Sequence, residues 1–235
     1  MLKVLFFFFY VSAVALCANS HSVCETERFD MNKARDSIEV ILLNEPNNVI
    51  CMLQLANIYL KQGKISKGFE LLVDAYSIEP YTVQSSSVAA VLPFALKVAN
   101  LKKQAIQTND PLMWNKLGDG YFEMGIFNEA VKMYKNSLDV DDAQHNVRLK
   151  LSLALQKNSQ TYSALYELQK ILKQDEKHLY ANYYMGKILM YDVKDETEAY
   201  AYFVKAKKAL LNQKESIEYV EYTNLLSDIT RELGE

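Results

Sequence analysis

The sequence predicts an all-α protein, an α-solenoid of stacked helix–turn–helix repeats that ends in a capping helix. Half of its 235 residues are apolar, and seven glycines and four prolines are too few for the many turns of an all-β fold. Within 114–138, large apolar residues follow a helical spacing that is interrupted once, at Gly125. The intervals Pro46–Pro80 (80 − 46 = 34) and Ala34–Gly68 (68 − 34 = 34) are equal. Two landmarks of different chemistry thus recur with one period, which is typical of a repeat protein.

The stretch 111–142 carries the clearest form of this repeat. Its landmark residues are, in order, Trp114, Leu117, Gly118, Tyr121, Ala130 and Tyr134. Gly118 and Ala130 are small among large neighbours, as two closely crossing helices require. This order and spacing resemble the tetratricopeptide repeat (TPR), a helix–turn–helix unit of about 34 residues. Ser137 and Asp142 depart from the pattern, which usually has Ala and Pro at these positions.

The resemblance implies a TPR superhelix over residues 21–235. The predicted units lie at 30–46, 49–80, 81–110, 111–142, 145–176 and 179–211, and a capping helix follows at 214–234.

The first twenty residues resemble a secretory signal peptide. A basic residue is followed by about fifteen apolar residues that end in small ones. This run is shorter than the ~20 residues of a membrane-spanning helix. Ala18-Asn19-Ser20 offers a small-x-small cleavage site, with Ala15-Leu16-Cys17 as a second possibility, and Leu16 disfavours a lipid anchor on Cys17. We expect a periplasmic or secreted protein that meets a membrane only through an uncleaved signal or a partner.

The units before residue 80 follow the repeat scheme. Asp30 is expected to cap a first helix that ends before Pro46. This helix would be the second half of a unit whose first half is eroded. The unit 49–80 is nearly complete, with a turn at Gly63 and Pro80 at its end.

The segment 81–110 lacks the landmarks. Only 142 − 80 = 62 residues separate Asp142 from Pro80, against the ~68 that two units need. We predict a degenerate unit whose turn is shortened near Pro93, since proline disfavours an uninterrupted helix. The predicted buried face consists of Val88, Val91, Leu92, Leu96, Ala99 and Leu101. The alternative is one long kinked helix that divides two superhelical halves.

The last units keep the period with two local changes. Ser159 stands in the place of the turn glycine, and the unit ends at Glu176. The interval Gly186–Ala199 (199 − 186 = 13) is longer by one than Gly118–Ala130 (130 − 118 = 12), so the turn near 192–194 carries one extra residue. The capping helix is predicted from an apolar stripe of Tyr222, Leu225, Leu226, Ile229 and Leu233. The charged residues that lie largely off this stripe and would cover the end of the array are Glu218, Glu221, Asp228, Arg231 and Glu232.

Two cysteines, Cys24 and Cys51, remain after signal cleavage. In an oxidising compartment they have one possible intramolecular pairing. The sequence allows either a disulfide between Cys24 and Cys51 or two independent thiols.

Composition and motifs argue against several functions. A net charge of −3 from 26 basic and 29 acidic residues gives no field that would attract nucleic acid. His21, His145 and His178 lack further ligands at metal-binding spacing. The acidic cluster at 139–142 lacks the glycine and glutamate of a calcium loop. No G-x-S-x-G, H-E-x-x-H or P-loop motif is present, so we expect no enzyme, no metal and no cofactor.

In TPR proteins the first helices of successive units line a concave groove. Carried over residue by residue, the resemblance implies a partner-binding face of Gln54, Asn57, Asn115, Lys116, Asp119, Phe122, Leu149, Lys150, Leu153, Tyr180, Tyr183, Tyr184, Lys187 and Met190. Rings, amides and ammonium groups suit an extended peptide or a helix of a partner protein. For each of these residues the alternative is that it only covers a neighbouring unit. Leu53, Leu149 and Tyr183 stand where chaperone-binding members carry a carboxylate clamp, so binding of a cytosolic chaperone is not expected.

These observations predict a non-enzymatic scaffold or adaptor that acts in assembly of an envelope or secreted complex. Resemblance to envelope members of the family suggests a pilus or secretion apparatus, cytochrome maturation or a cell-division complex. The alternative is a periplasmic or secretory holding chaperone for unfolded clients. The sequence identifies neither the partner nor the oligomeric state.

Overall fold

The computed structural model describes residues 30–214 and 216–234. Over these residues the chain is helical and contains no β-strand. The helices are α1 (Met31–Asn44), α2 (Val49–Lys61), α3 (Ile65–Ile78), α4 (Pro80–Gln84), α5 (Leu92–Thr108), α6 (Pro111–Glu123), α7 (Phe127–Val140), α8 (His145–Lys157), α9 (Thr161–Gln174), α10 (Leu179–Ile188), α11 (Glu196–Asn212) and α12 (Tyr219–Glu232). Helices adjacent in sequence pack together from α1 to α4 and from α6 to α12. The predicted fold class of stacked helix–turn–helix repeats is confirmed.

The chain forms two compact units, Met1–Ala99 and Asn100–Glu235, each with its own core. In the first unit Asp30 caps α1, as predicted, by accepting a hydrogen bond from the Asn32 N–H at 3.0 Å. Asn48 caps α2 in the same way. Gly63 turns the chain with φ +72°, a conformation that glycine adopts without steric cost. Ala56 and Leu72 are fully buried between the helices.

The segment 81–110 is not one long kinked helix, and the predicted degenerate unit is short in its first helix instead of in its turn. It contains the five-residue α4, a 3₁₀ turn at Ala89–Val91 and the seventeen-residue α5. Pro93 lies in the first turn of α5, where a missing N–H costs no helical hydrogen bond. The segment is therefore neither one kinked helix nor two helices of ordinary length. Leu96, predicted to be buried, is 37% exposed.

In the second unit, α6 and α7 form an antiparallel pair. Phe122 and Phe127 touch edge to face across the turn, with ring centroids 5.3 Å apart. Tyr134 donates to Asp119 Oδ1 at 2.8 Å, and Ser137 donates to the Pro111 carbonyl at 2.8 Å. Contacts thus run from the turn toward the two free ends, as an antiparallel pair requires. The Ser137 hydroxyl is satisfied although buried, which explains why a polar residue is tolerated there.

Close helix crossing depends on small residues at one position of each repeat. Gly118, Ser152 and Gly186 recur at equal intervals (152 − 118 = 34 and 186 − 152 = 34), and all three are buried. A Cβ atom built on Gly118 would lie 2.5 Å from the Tyr134 ring, and one on Gly186 would lie 2.9 Å from the Phe203 ring. In the α6–α7 and α10–α11 pairs the first helix therefore approaches an aromatic ring of the second too closely for a larger side chain.

Two turns differ from the repeat pattern at the places that the sequence predicts. Ser159 adopts φ +60°, in the place of Gly125 with φ +74°. The extra residue after α10 is taken up by a π turn at Leu189–Val193, followed by Lys194 in the left-handed region. The helices on either side remain paired.

The predicted stripe on α12 is buried at Tyr222, Leu225, Ile229 and Leu233. Leu226 is only partly buried. Glu232, expected off the stripe, has a side chain only 5% exposed. One side of α12 is therefore covered by polar contacts as well as by apolar packing.

Arg148 is buried, and no sequence motif indicated a role for it. Its guanidinium is bonded to the Asp142 carboxylate, and it donates to Glu167 Oε2 at 2.6 Å and to the Asp142 carbonyl at 3.0 Å. Asn182 stands one repeat beyond Arg148 (182 − 148 = 34), and Glu176 stands one repeat beyond Asp142 (176 − 142 = 34). Asn182 donates to the Glu176 carbonyl at 3.0 Å. In two successive repeats, the side chain at the position of Arg148 and Asn182 thus holds the last residue of the preceding repeat.

Two expectations fall on residues 1–29, outside those described. They are the signal peptide and the participation of Cys24 in a disulfide. Cys51 is partly buried in α2. Within the described residues, no helix combines the length and the apolar character needed to span a membrane.

Candidate functional site

The first helices of the second unit, α6, α8, α10 and α12, share one face. We call this the first-helix face, and its predicted residues on α6, α8 and α10 recur with the period of the repeat. For example, Lys116, Lys150 and Tyr184 occupy one position of three successive repeats. Lys150 on α8 donates to Asp119 Oδ2 at 2.8 Å and to Asn115 Oδ1 at 3.3 Å, both on α6. Predicted site residues from neighbouring repeats are therefore in direct contact.

Asp119 is the node of this contact. Its Oδ2 accepts from Lys150, and its Oδ1 accepts from the Tyr134 hydroxyl. Burial of the phenol and its hydrogen bond to this carboxylate raise the pKa of Tyr134 well above its usual value. Tyr134 therefore keeps its proton and remains a donor. One carboxylate thus ties α6 to its pairing helix α7 and to the next first helix, α8.

Similar bonds continue along the face. Gln156 at the end of α8 donates to Asp192 Oδ2 at 2.6 Å, just after α10. Tyr183 on α10 donates to Asp228 Oδ2 on α12 at 3.1 Å, and Lys187 Nζ lies 3.5 Å from Glu232 Oε1. Each pair of successive first helices is therefore linked by polar side chains.

Among the described residues, the most side-chain bonds between first helices join α10 and the turn after it to α12. Tyr180 donates to Glu221, and burial with this bond raises the pKa of Tyr180 to about 12. Tyr191 donates to both carboxylate oxygens of Glu232, at 2.7 and 2.6 Å. Residue numbers on the two helices rise together along these bonds. The helices therefore run parallel, as the first helices of successive repeats should.

The structure separates the predicted site residues by accessibility. Leu149 and Tyr183 are each only 8% exposed, so their side chains contact their own chain. Lys116 is exposed. The other predicted residues of the second unit are partly exposed: Asn115, Asp119, Phe122, Lys150, Leu153, Tyr180, Tyr184, Lys187 and Met190. Gln54 and Asn57 belong to the first unit, where both are partly buried on α2.

An open groove of about 420 Å³ lies between α10 and α12. We call it the α10–α12 groove. Its lining residues are Tyr180, Tyr184, Glu218, Val220, Glu221, Asn224, Leu225 and Asp228. Two of these residues belong to the predicted face, and the α12 residues are additional. The sequence predicted α12 only as a cap, and the available signal was the i, i+3, i+10 spacing of Glu218, Glu221 and Asp228.

The histidines lie closer together than the sequence suggested. The rings of His145 and His178 meet edge to face, with centroids 5.9 Å apart. His145 Nε2 lies 2.6 Å from Gln174 Oε1, and His178 Nδ1 accepts from the Ala181 N–H at 3.2 Å. Over residues 30–214 and 216–234 no group of three His, Cys, Asp or Glu side chains could hold a metal ion. Asp142 of the acidic cluster pairs with Arg148.

The chain was compared with protein families, curated sequences and solved structures, and it resembles several solved structures. No protein-family model and no curated protein sequence matches the chain. The crystal structure of MamA has a TM-score of 0.43 and 16% identity, over 79% of this chain and 92% of that chain. The TPR2AB domain of yeast Sti1 in complex with pHSP90 has a TM-score of 0.45 and 16% identity, over 85% of this chain and 79% of that one.

PilW, described as a widely conserved type IV pilus biogenesis factor, has a TM-score of 0.42 and 19% identity. The match covers 87% of this chain and 79% of PilW. The helix pairing described above rests on the contacts within the chain itself.

Proposed function

We propose that the protein is a non-enzymatic scaffold that holds a segment of another protein on the first-helix face of its second unit. The observation that carries this proposal is the combination of rigidity and accessibility on that face. Polar bonds link every pair of successive first helices, while Lys116, Leu153, Tyr184 and Met190 remain at least partly exposed. A surface fixed before binding loses little conformational entropy when a partner arrives.

The chemistry of these side chains suits a polypeptide ligand. Tyr184 and Met190 offer apolar area with few polar demands, and Lys116 can pair with a carboxylate or a carbonyl. Leu153 lies at the same repeat position as Asp119 and Lys187, in the middle helix of the three. A bound segment that crossed α8 would therefore cover Leu153.

Export and a role in envelope or secreted assembly are part of the proposal. They are supported by the apolar run and small-x-small site of the first twenty residues. The partner would accordingly be another exported protein.

The experiment is affinity purification from the periplasmic or secreted fraction of the native host. The wild-type chain is compared with Leu153→Glu, which places a charge on the middle of the first-helix face. The matched control is Tyr162→Glu on α9, whose side chain is 78% exposed and on a second helix. Circular dichroism verifies that both variants are folded.

We expect one defined partner to be retained by the wild type and by Tyr162→Glu, and lost by Leu153→Glu. Burial of an unpaired carboxylate against a partner costs several kcal/mol, so the loss should exceed about 100-fold in affinity. Retention of the partner by folded Leu153→Glu would overturn the assignment of the face. Weak capture of many denatured proteins without a defined partner would support a holding chaperone instead. Absence of the protein from the extracytoplasmic fraction would overturn export.

A further inference from the structure

We infer that the α10–α12 groove takes a basic segment of the partner, with a lysine or arginine side chain inserted between the tyrosines of α10 and the acids of α12. This inference rests on the proposed function and specifies the chemistry of the segment that is bound. The groove is formed by residues of the second unit alone.

The two walls of the groove differ in chemistry. Tyr180 and Tyr184 are four residues apart and therefore lie on one face of α10. Glu221 and Asp228 are seven residues apart on one face of α12, and Glu218 immediately precedes this helix. A wall of aromatic rings thus stands beside a wall of carboxylates, with an open volume of about 420 Å³ between them.

Charge compensation within the groove is incomplete. Asp228 Oδ1 accepts from Arg231 at 3.0 Å, and Glu221 accepts from the Tyr180 hydroxyl. Glu218 makes no side-chain hydrogen bond or ion pair with any described residue, although it lines the groove. No lysine, arginine or histidine is among the lining residues. The groove therefore presents negative charge that its own chain leaves unbalanced.

Tyr184 in the aromatic wall is also available to bind a ligand. The Tyr184 hydroxyl forms no hydrogen bond with the described part of the chain, and the side chain is only partly buried. A cation over a tyrosine face is attracted by the ring, and a guanidinium can stack on the ring while it donates to carboxylates. An arginine or lysine side chain would therefore satisfy both walls at once.

Other occupants fit less well. A phosphate backbone or an acidic peptide would bring negative charge against Glu218, Glu221 and Asp228. A purely apolar segment would leave these carboxylates partly desolvated and without a partner. Charge complementarity thus selects a cationic polypeptide segment.

The test uses the full chain and a fluorescently labelled, blocked nonapeptide with three arginines among alanine and leucine. Binding is followed by fluorescence anisotropy, together with a counterpart peptide in which glutamate replaces arginine. The groove variant is Glu218→Gln with Glu221→Gln, which keeps a hydrogen-bond acceptor for Tyr180. The matched control is Asp74→Asn with Asp139→Asn, which removes the same charge from exposed sites on α3 and α7.

We expect the arginine peptide to bind the wild type and the control variant within about twofold of each other. The groove variant should bind about tenfold more weakly, and the glutamate peptide should not bind. Tyr184→Leu should weaken binding of the arginine peptide without unfolding the chain, because it keeps an apolar side chain at this site.

Equal weakening in the groove and control variants would mean that the peptide responds only to net charge, and would overturn the inference. Absence of binding by the wild type would do the same. These failures are distinguishable from failure of the scaffold proposal. A partner that is lost by Leu153→Glu but retained by the groove variant would leave the scaffold standing and the groove unassigned.

Discussion

Single glycines set how closely the paired helices of this protein approach. Gly118 and Gly120 lie two residues apart on α6, yet their surroundings differ. A Cβ atom on Gly118 would meet the Tyr134 ring at 2.5 Å, whereas no other residue comes within 4 Å of one on Gly120. The first glycine is required by packing, and the second only weakens its helix.

This difference gives a prediction for two matched variants. Gly118→Ala should destabilise the second unit by about 1–3 kcal/mol, because the Tyr134 ring must move and its bond to Asp119 with it. Gly120→Ala should stabilise it by about 0.5–1 kcal/mol, because alanine is the better helix former. Urea unfolding followed by Trp114 fluorescence measures both. Similar changes in the free energy of unfolding would contradict the close approach at Gly118.

Residue-level predictions from the sequence succeeded where local spacing decides the outcome. The small size of Gly118 and Ala130 and the unusual turn residue Ser159 all have the expected structural roles. The burial of Leu149 and Tyr183 could not be predicted in the same way. Helical spacing places both on the first-helix face, but it does not say how far side chains of the next repeat reach across them.

At the level of elements, helix α10 begins with an unusual cap. His178 precedes it, and Nδ1 of the imidazole accepts from the Ala181 N–H. Burial lowers the pKa of His178 below 6.5, Asp175 opposes this shift and His145 adds to it. The cap requires an unprotonated Nδ1, so the start of α10 depends on the protonation state of one ring.

The sign of the pH dependence follows from the lowered pKa. The unfolded chain binds the proton more readily, so the stabilisation by His178 is present above pH 6.5 and is lost as pH falls through the folded pKa. His178→Asn, which keeps a capping acceptor, should lose less stability on acidification than the wild type. The difference should be about 1 kcal/mol, the typical worth of an N-cap.

The measurement compares urea midpoints of the two proteins at about pH 5.5 and pH 7.5, on either side of the ordinary histidine pKa. An identical pH dependence in the two proteins would contradict the role of His178.

The segment 81–110 shows the limit of element prediction. The segment is too short for two helices of full length. The sequence does not show which of the two helices is the shorter one. The structure places nearly all of the shortening in α4, which has five residues, and leaves α5 with seventeen. Pro93 was interpreted as a helix breaker, although proline fits equally well in the first turn of a helix.

At the scale of the whole molecule, the chain has two compact units, so each unit can have its own free energy of unfolding. Trp114 is the only tryptophan and lies on α6 in the second unit. Its fluorescence therefore reports on that unit, whereas circular dichroism at 222 nm reports on all helices. Two-state unfolding would make the two signals coincide.

We predict that the fluorescence and dichroism transitions in urea do not superimpose, because each unit buries its own core. Leu72→Ala removes a fully buried side chain of the first unit and should cost about 2–5 kcal/mol there. It should shift the dichroism curve while the fluorescence midpoint stays in place. Coincident curves that move together in Leu72→Ala would show that the chain unfolds as one cooperative block.

The π turn after α10 has a consequence for how such a chain can change length. One additional residue is absorbed as a local widening of the helix end, and Gly186 still meets Phe203 on the partner helix. An insertion at this point therefore leaves the packing of Gly186 against the Phe203 ring unchanged. A longer turn can therefore keep α10 paired with α11, while Asp192 and Tyr191 within it still bond to Gln156 and Glu232.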